Sequence, residues 1–189
     1  MIVVIGSAVL LGHAHAQQFD LETFGFSTCS DRLCFLGIAP GVTRWSKALD
    51  ILVDHGAVQP DLSQNLFFIG QTRINIDYNP QTQVVGYISV IDQTGVPLPV
   101  MAGDVIRYLG VPCAFSPITF QLNNLVLYYP NGALTFNLDT AYLHPTNRVN
   151  YIDLRAGDEF CDKAVTWPGF TSYDHYLTLY MKWSNVVLH

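Results

Sequence analysis

Arg73-Ile74-Asn75-Ile76-Asp77-Tyr78 alternates polar and apolar side chains with period two. Successive side chains of an extended chain point to opposite faces, so this pattern reads as a strand with one face in a core and one in water. Asn79-Pro80 breaks it. Gln83 to Ile91, apolar on both sides of Gly86, reads as the second strand of a hairpin, and Asp92-Gln93-Thr94-Gly95 turns the chain again.

Upstream of this hairpin, Gly41 to Gly56 reads as a helix with Thr43 as its N-cap and Trp45, Ala48, Leu49 and Leu52 on one face. His55 suits the negative end of the helix dipole, and Gly56 with Pro60 beyond it marks the stop. Downstream the same order recurs. Ala102 to Leu109 forms a short helix with Met101, Val105 and Leu109 spaced by four, closed by Gly110 and Pro112. Ile118, Phe120 and Leu122 then alternate, Asn123-Asn124 offers a turn, and Leu125 to Tyr129 is an apolar run. Pro130-Asn131-Gly132 leads into Leu134, Phe136 and Leu138, and Val149 to Leu154 alternates once more. The expectation is an α+β domain of two tandem helix-then-antiparallel-strand units sharing one core, over residues 35–95 and 96–155.

A last helix is expected over residues 171–183. Thr171 and Asp174 have the spacing of a capping box, and Tyr173, Tyr176, Leu177 and Tyr180 fall on one face. Such a stripe packs a core when covered. Displayed, together with Trp167 and Phe170, it makes a candidate binding face.

Ile2 to Leu11 is an apolar run too short to cross a bilayer, and Ala14-His15-Ala16 follows it before Gln17. This is the pattern of a signal peptide over residues 1–16 with an A-x-A cleavage site, leaving one domain over residues 17–189 outside the cytoplasm. Gln17, rather than a cysteine, follows the cleavage point, so a lipid anchor has no acceptor there. With 15 acidic against 9 basic residues the net charge is −6, which excludes the counterion-release binding typical of nucleic-acid partners. Only 13% of residues are charged while 13% are aromatic, a composition that excludes disorder and points to a large core or an adhesive surface.

Four cysteines, Cys29, Cys34, Cys113 and Cys161, suit an oxidising compartment. Three pairings are open. Ser30-Asp31-Arg32-Leu33 can form the turn that joins Cys29 to Cys34, which would leave Cys113 with Cys161; free buried thiols are the other reading. Zinc is disfavoured because Cys113 and Cys161 each stand alone.

The chain has no G-x-S-x-G, H-E-x-x-H, G-x-x-x-x-G-K-[ST] or G-x-G-x-x-G pattern, and no D-x-[DN]-x-[DN]-G calcium loop. His55 sits at a helix end. His144 precedes Pro145 in a loop and His175 adjoins Asp174, so either could serve as a base only if folding brings a carboxylate to it. Asp153, Asp158 and Glu159 lie close enough in sequence to form an acid pair, although Gly157 beside them suits a simple turn. No catalytic, cofactor or metal site is assigned.

Gly37-Ile38-Ala39-Pro40-Gly41-Val42-Thr43, followed by an amphipathic helix closing on Gly56, resembles the opening of the BamE/SmpA-like family and of related β-lactamase-inhibitor-protein-like modules. Ala102 to Pro112 is similar to their helix ending in Leu-Gly-x-Pro. Cys34 to Thr43 also resembles a Cys-x-x-Gly-Ile-x-Pro-Gly-x-Thr opening found in exported bacterial proteins. The resemblance implies helices packed on a curved antiparallel sheet that binds other proteins. The leading expectation is therefore a noncatalytic, secreted or cell-envelope interaction module with a protein partner. Its rivals are a small hydrolase using His144 or His175 with a carboxylate, and a carrier of an apolar molecule.

Overall fold

The computed structural model describes residues 21–30, 32–60, 65–118, 124–138, 142–157, 161 and 167–187. The expected signal segment, the strand residues Phe120 and Leu122, and Asp158 and Glu159 lie outside these. In chain order the elements are β1 (Phe26–Cys29), β2 (Arg32–Phe35), α1 (Trp45–Asp54), β3 (Leu66–Ile69), β4 (Thr72–Asn79), β5 (Val84–Asp92), α2 (Ala102–Leu109), β6 (Ala114–Ile118), β7 (Asn124–Tyr129), β8 (Gly132–Asn137), β9 (Val149–Arg155) and α3 (Tyr173–Val187). The fold is α+β: β1 and β2 form a two-stranded sheet, and the rest form a seven-stranded antiparallel sheet in the order β3-β4-β5-β9-β8-β7-β6.

The alternation in β4 sets the sheet's two faces. Register places Phe67, Ile74, Val90, Ile152, Leu134, Leu127 and Phe115 side by side, one per strand from edge to edge. All seven are buried. Burial of such side chains is worth about 1.5–3 kcal/mol each, so this row crosses the sheet as one continuous apolar stripe. Trp45 of α1 lies over the same face, stacked on Tyr78 at 4.7 Å and edge-on to Phe67, while Tyr176 of α3 packs on Phe115 at 5.1 Å. The last strand in sequence, β9, sits between β5 and β8 and joins the two meanders.

The helix ends differ from the expected caps in instructive ways. The first helix begins at Trp45, two residues after Thr43, and Arg44 at its N-cap makes no side-chain cap bond. Thr43 Oγ1 instead accepts the Ala39 N–H at 2.9 Å, closing the Ala39-Pro40-Gly41-Val42 loop. That loop is then paired to the sheet: Gly41 N–H donates to Val85 O, Val85 N–H to Thr43 O, and Trp45 N–H to Gln83 O. Gly41 is required twice over, by φ +81° and because a Cβ there would lie 3.1 Å from Ala156 Cβ. At the other end of α1, Ala57 N–H donates to Leu52 O and Gly56 N–H to Val53 O, a Schellman closure made possible by Gly56 at φ +72°. In α3 the cap is Ser172, whose Oγ accepts the His175 N–H at 3.3 Å, rather than Thr171.

Two strands and a hairpin were not legible. Leu66–Ile69 carries no alternation and is an edge strand. Phe26–Cys29 and Arg32–Phe35 are too short to show a period. Ala114–Ile118, the second of these strands, lies at the sheet edge, where a proline such as Pro117 is tolerated; of the expected Ile118, Phe120 and Leu122 strand only Ile118 falls within the described residues. Asn124, expected in a turn, opens β7 opposite Ile118 and Asn137.

Disulfides join Cys29 to Cys34 and Cys113 to Cys161. In the chain-entropy picture the longer closure, spanning 48 residues, contributes about 4 kcal/mol and the five-residue one about 2 kcal/mol. The β1–β2 hairpin is held on the large sheet by Asn131, a buried side chain in the β7–β8 turn. Its Oδ1 accepts the Leu33 N–H at 3.1 Å and its Nδ2 donates to Leu33 O at 2.8 Å, so one amide replaces a neighbouring strand. Substituting Asn131→Ala leaves both backbone groups of Leu33 buried without partners. The expected loss in a denaturant titration is about 2–4 kcal/mol.

Candidate functional site

The aromatic residues near the C-terminal helix divide between interior and surface. Tyr176 is fully buried; its hydroxyl donates to Gly169 O at 2.6 Å and accepts from Trp167 Nε1 at 3.2 Å. Tyr173 is also buried, so neither residue belongs to a displayed face, and both serve the core instead. Large aromatic rings at this spacing gain more from covering Phe115 and the sheet edge than from standing in water. Trp167 and Tyr180 are half-buried, and Phe170, edge-on to Trp167 at 5.4 Å, is 39% exposed.

Leu143 N–H donates to Thr171 O and Tyr142 bridges to Ser172, so the His144 loop runs beside the start of α3, where His175 also lies. Both imidazoles are exposed, and among the described residues no hydrogen bond or ion pair joins either to a carboxylate. Asp153 is already engaged by the Tyr87 hydroxyl at 2.6 Å. Among the described residues no three or more His, Cys, Asp or Glu side chains cluster to hold a metal.

Two sites absent from the expectations stand out. The first is the outer face of β4, β5 and β9. Register sets Asp77 beside Tyr87 and Tyr87 beside Arg155, then Asn75 beside Ser89 and Ser89 beside Asp153, and Arg73 beside Ile91 and Ile91 beside Tyr151. These side chains are half-buried or exposed, whereas on β7 and β8 the same face is closed at Val126, Ala133 and Thr135. Tyr87 is fixed from two sides, by Asp153 and by the Arg155 guanidinium 5.2 Å from its ring centre. Burial, reinforced by the hydrogen bond to Asp153, pushes its phenol up to about 12. On β7, beyond β8, burial also raises Tyr128, against the lowering effect of a hydrogen bond with Ser116.

The second is an open cleft of about 370 Å³ between the loop before β1, the β2 turn, the C-terminus of α1 and the strands β3 and β4. Phe24, Phe35, Leu36 and Ile69 form its apolar walls, with Glu22 and His55 at its rim. Leu36 and Gly37 are the central pair of a two-residue turn between Phe35 and Ile38, with φ +54° and +81°. Glycine or asparagine occupies such a position at little cost, whereas a leucine there costs about 1–2 kcal/mol. Its isobutyl group is housed because residue 25 is glycine: a Cβ on Gly25 would come 2.7 Å from Leu36 Cδ2. His55 Nδ1 donates to the Ile51 carbonyl at 2.8 Å, since a carbonyl only accepts. Four separate segments build this cleft, so no local pattern announces it.

No family model matches the chain, and no curated protein sequence matches it. Among solved structures the chain is similar to a DUF4309 family protein (YjgB) from Bacillus subtilis subsp. subtilis str. 168, with 15% identity, 66% of this chain and 87% of that chain covered, and a TM-score of 0.39.

The raised phenols have a consequence at alkaline pH. A folded-state value above the unfolded value of about 10 contributes stability that is complete below pH 10 and lost as pH rises through the folded value. Thermal unfolding followed between pH 10 and about 12 is expected to show a falling midpoint, and Tyr87→Phe is expected to flatten that fall. Tyr129, raised by burial beside Gly110, pushes the same way.

Proposed function

We propose that this chain is a noncatalytic, extracytoplasmic protein-interaction module that receives its partner on the outer face of β4, β5 and β9. The observation that carries the reading is the Tyr87, Asp153 and Arg155 cluster on an otherwise half-open sheet. Tyrosine and arginine contribute disproportionately to protein interfaces, because they combine large contact area with a polar tip. Here the ring is already held in one orientation, so docking need not order it. Tyr151 and Arg73 extend the same face, and its mixture of charges, Arg73 and Arg155 with Asp77 and Asp153, suits a protein surface.

Within this proposal residues 1–16 are an export signal, and the two disulfides suit an oxidising compartment. No helix among the described residues is long and apolar enough to cross a membrane. The architecture is read as two tandem helix-then-strand units, α1 with β3–β5 and α2 with β6–β8, joined by β9. The kinship proposed is with the BamE/SmpA-like and β-lactamase-inhibitor-protein-like modules. Supporting it, Gly41 and Thr43 of the shared opening both have mechanical tasks in seating the loop on β5.

A photo-crosslinking residue placed at Ser89, in the middle of this face, tests the reading in envelope extract. The expected result is one discrete adduct that Tyr151→Ala and Arg155→Glu abolish, with none from the same probe at exposed Lys47 on α1. Equal labelling from both positions, or none from Ser89, contradicts it.

A further inference from the structure

We infer that the partner received on the outer sheet face is a second copy of this chain, docked across a two-fold axis so that Arg73 of each copy meets Asp77 of the other. The inference rests on the sheet-face reading and names the occupant of that face.

The pattern begins within one strand. Arg73, Asn75 and Asp77 stand at every second position on the outer face of β4, so the two charges lie about 13 Å apart with Asn75 midway between them. That span is too long for an ion pair within the strand. Both charged side chains are exposed, and among the described residues neither has an ion-pair partner. Local bonds orient them without neutralising them: Arg73 Nε donates to Asn75 Oδ1 at 3.3 Å, and Asp77 Oδ1 accepts the Tyr78 N–H at 2.8 Å.

Opposite charges set equally on either side of a central residue are self-complementary. A two-fold axis through Asn75, running across the strands, lays Arg73 of one copy on Asp77 of the other and repeats the pair on the far side, so one patch satisfies itself. A uniformly acidic partner would meet Asp77 and Asp153, and a uniformly basic one Arg73 and Arg155, so either loses at one point what it gains at another. A second copy carries both signs at the required spacing.

Neighbours in register dry these pairs. Phe68 and Ile91 stand on either side of Arg73, and Tyr87 stands beside Asp77. The same axis sets Ile91 against Tyr87 of the second copy, and Asn75 and Ser89 against their own counterparts, where an amide or a hydroxyl both donates and accepts. Asp153, two strands from β4, lies toward the rim with its carboxylate engaged by the Tyr87 hydroxyl. Strands β3, β4, β5 and β9 at about 4.8 Å spacing, with eight residues of β4 at about 3.3 Å each, give a patch of about 500 Å² per copy. A standard interface covers about 800 Å² per partner, so the dimer is weak and reversible. The monomer does not need it to fold, because the apolar stripe on the opposite face is already buried.

Sedimentation velocity on the purified, disulfide-intact chain tests this. The chain is expected to dimerise with a Kd on the order of 100 μM at low salt, and more weakly as salt is added. Arg73→Asp alone and Asp77→Arg alone are each expected to weaken self-association about tenfold, with the thermal midpoint unchanged. Mixed in equal amounts the two variants are expected to recover the dimer, because each supplies the charge that the other lacks. Asp77→Asn, which keeps an acceptor for the Tyr78 N–H, is the milder variant and is expected to weaken association about threefold. A chain that stays monomeric well above that Kd, a dimer indifferent to both reversals, or a mixture no tighter than its parts would each overturn the inference. The photo-crosslinking residue at Ser89 is expected to join two copies in the purified chain. A monomeric chain whose Ser89 probe still captures one discrete adduct in envelope extract overturns the second copy alone, and no adduct in either setting removes the sheet-face reading as well.

Discussion

One apolar stripe holds this molecule together. Phe67, Ile74, Val90, Ile152, Leu134, Leu127 and Phe115 lie buried across seven strands, and Trp45 of α1 and Tyr176 of α3 pack over the stripe's two ends. Strand β9 is the constraint within the constraint. Without Ile152 and Leu154 between Val90 and Leu134, the β3–β5 and β6–β8 meanders would be two small sheets, each too narrow to bury its apolar face alone. The chain reaches this arrangement at a loop-closure cost, since β5 and β9 are far apart in sequence, and several bonds offset it. Leu98 N–H donates to Val149 O and Val149 N–H to Val100 O, so the entry to α2 is already stitched to the start of β9.

One face of the sheet is committed to the core, and the candidate sites lie on what remains. The outer face of β4, β5 and β9 is polar and rich in tyrosine, while the hairpin of β1 and β2, pinned by Asn131 and closed by Cys29–Cys34, stands far enough off the sheet edge to leave a cleft. These two sites use different physics. The face offers preset tyrosine and arginine to a broad surface, and the cleft offers a small apolar space with acceptors at its rim. The histidines and acids that sequence motifs direct attention to are either solvent-exposed, as His144 and His175 are, or held structurally, as Asp153 is by Tyr87.

How much of this was readable depends on periodicity. Ile74 and Ile76 in β4, and Ile152 and Leu154 in β9, alternate with polar neighbours, and each strand lies within a residue or two of where that alternation places it. The Gly-terminated helices were legible because Gly56 and Gly110 supply closures that few other residues allow. Four-residue strands such as Leu66–Ile69 show no period, and their strand state comes from tertiary pairing with β4. Thr43 carried a sound local signal for a cap, yet the loop it closes needed its hydroxyl more than the helix did. Tyr173 and Tyr176 were ambiguous because core and interface use the same residues, and the burial of both, with Tyr176 packed on Phe115, decides the matter. The cleft was invisible because its walls are distant in sequence and its key residue, Leu36, defies the usual turn preference.

The central claim is that both meanders share one interior through β9. Native-state hydrogen exchange with increasing denaturant measures it residue by residue. If the claim is right, the amides of Ile74, Val90, Leu127, Leu134 and Ile152 converge on a single opening free energy equal to that of global unfolding. Separate, lower plateaus for the β3–β5 amides and the β6–β8 amides would mean that the stripe is two cores lying end to end, and the account would fail.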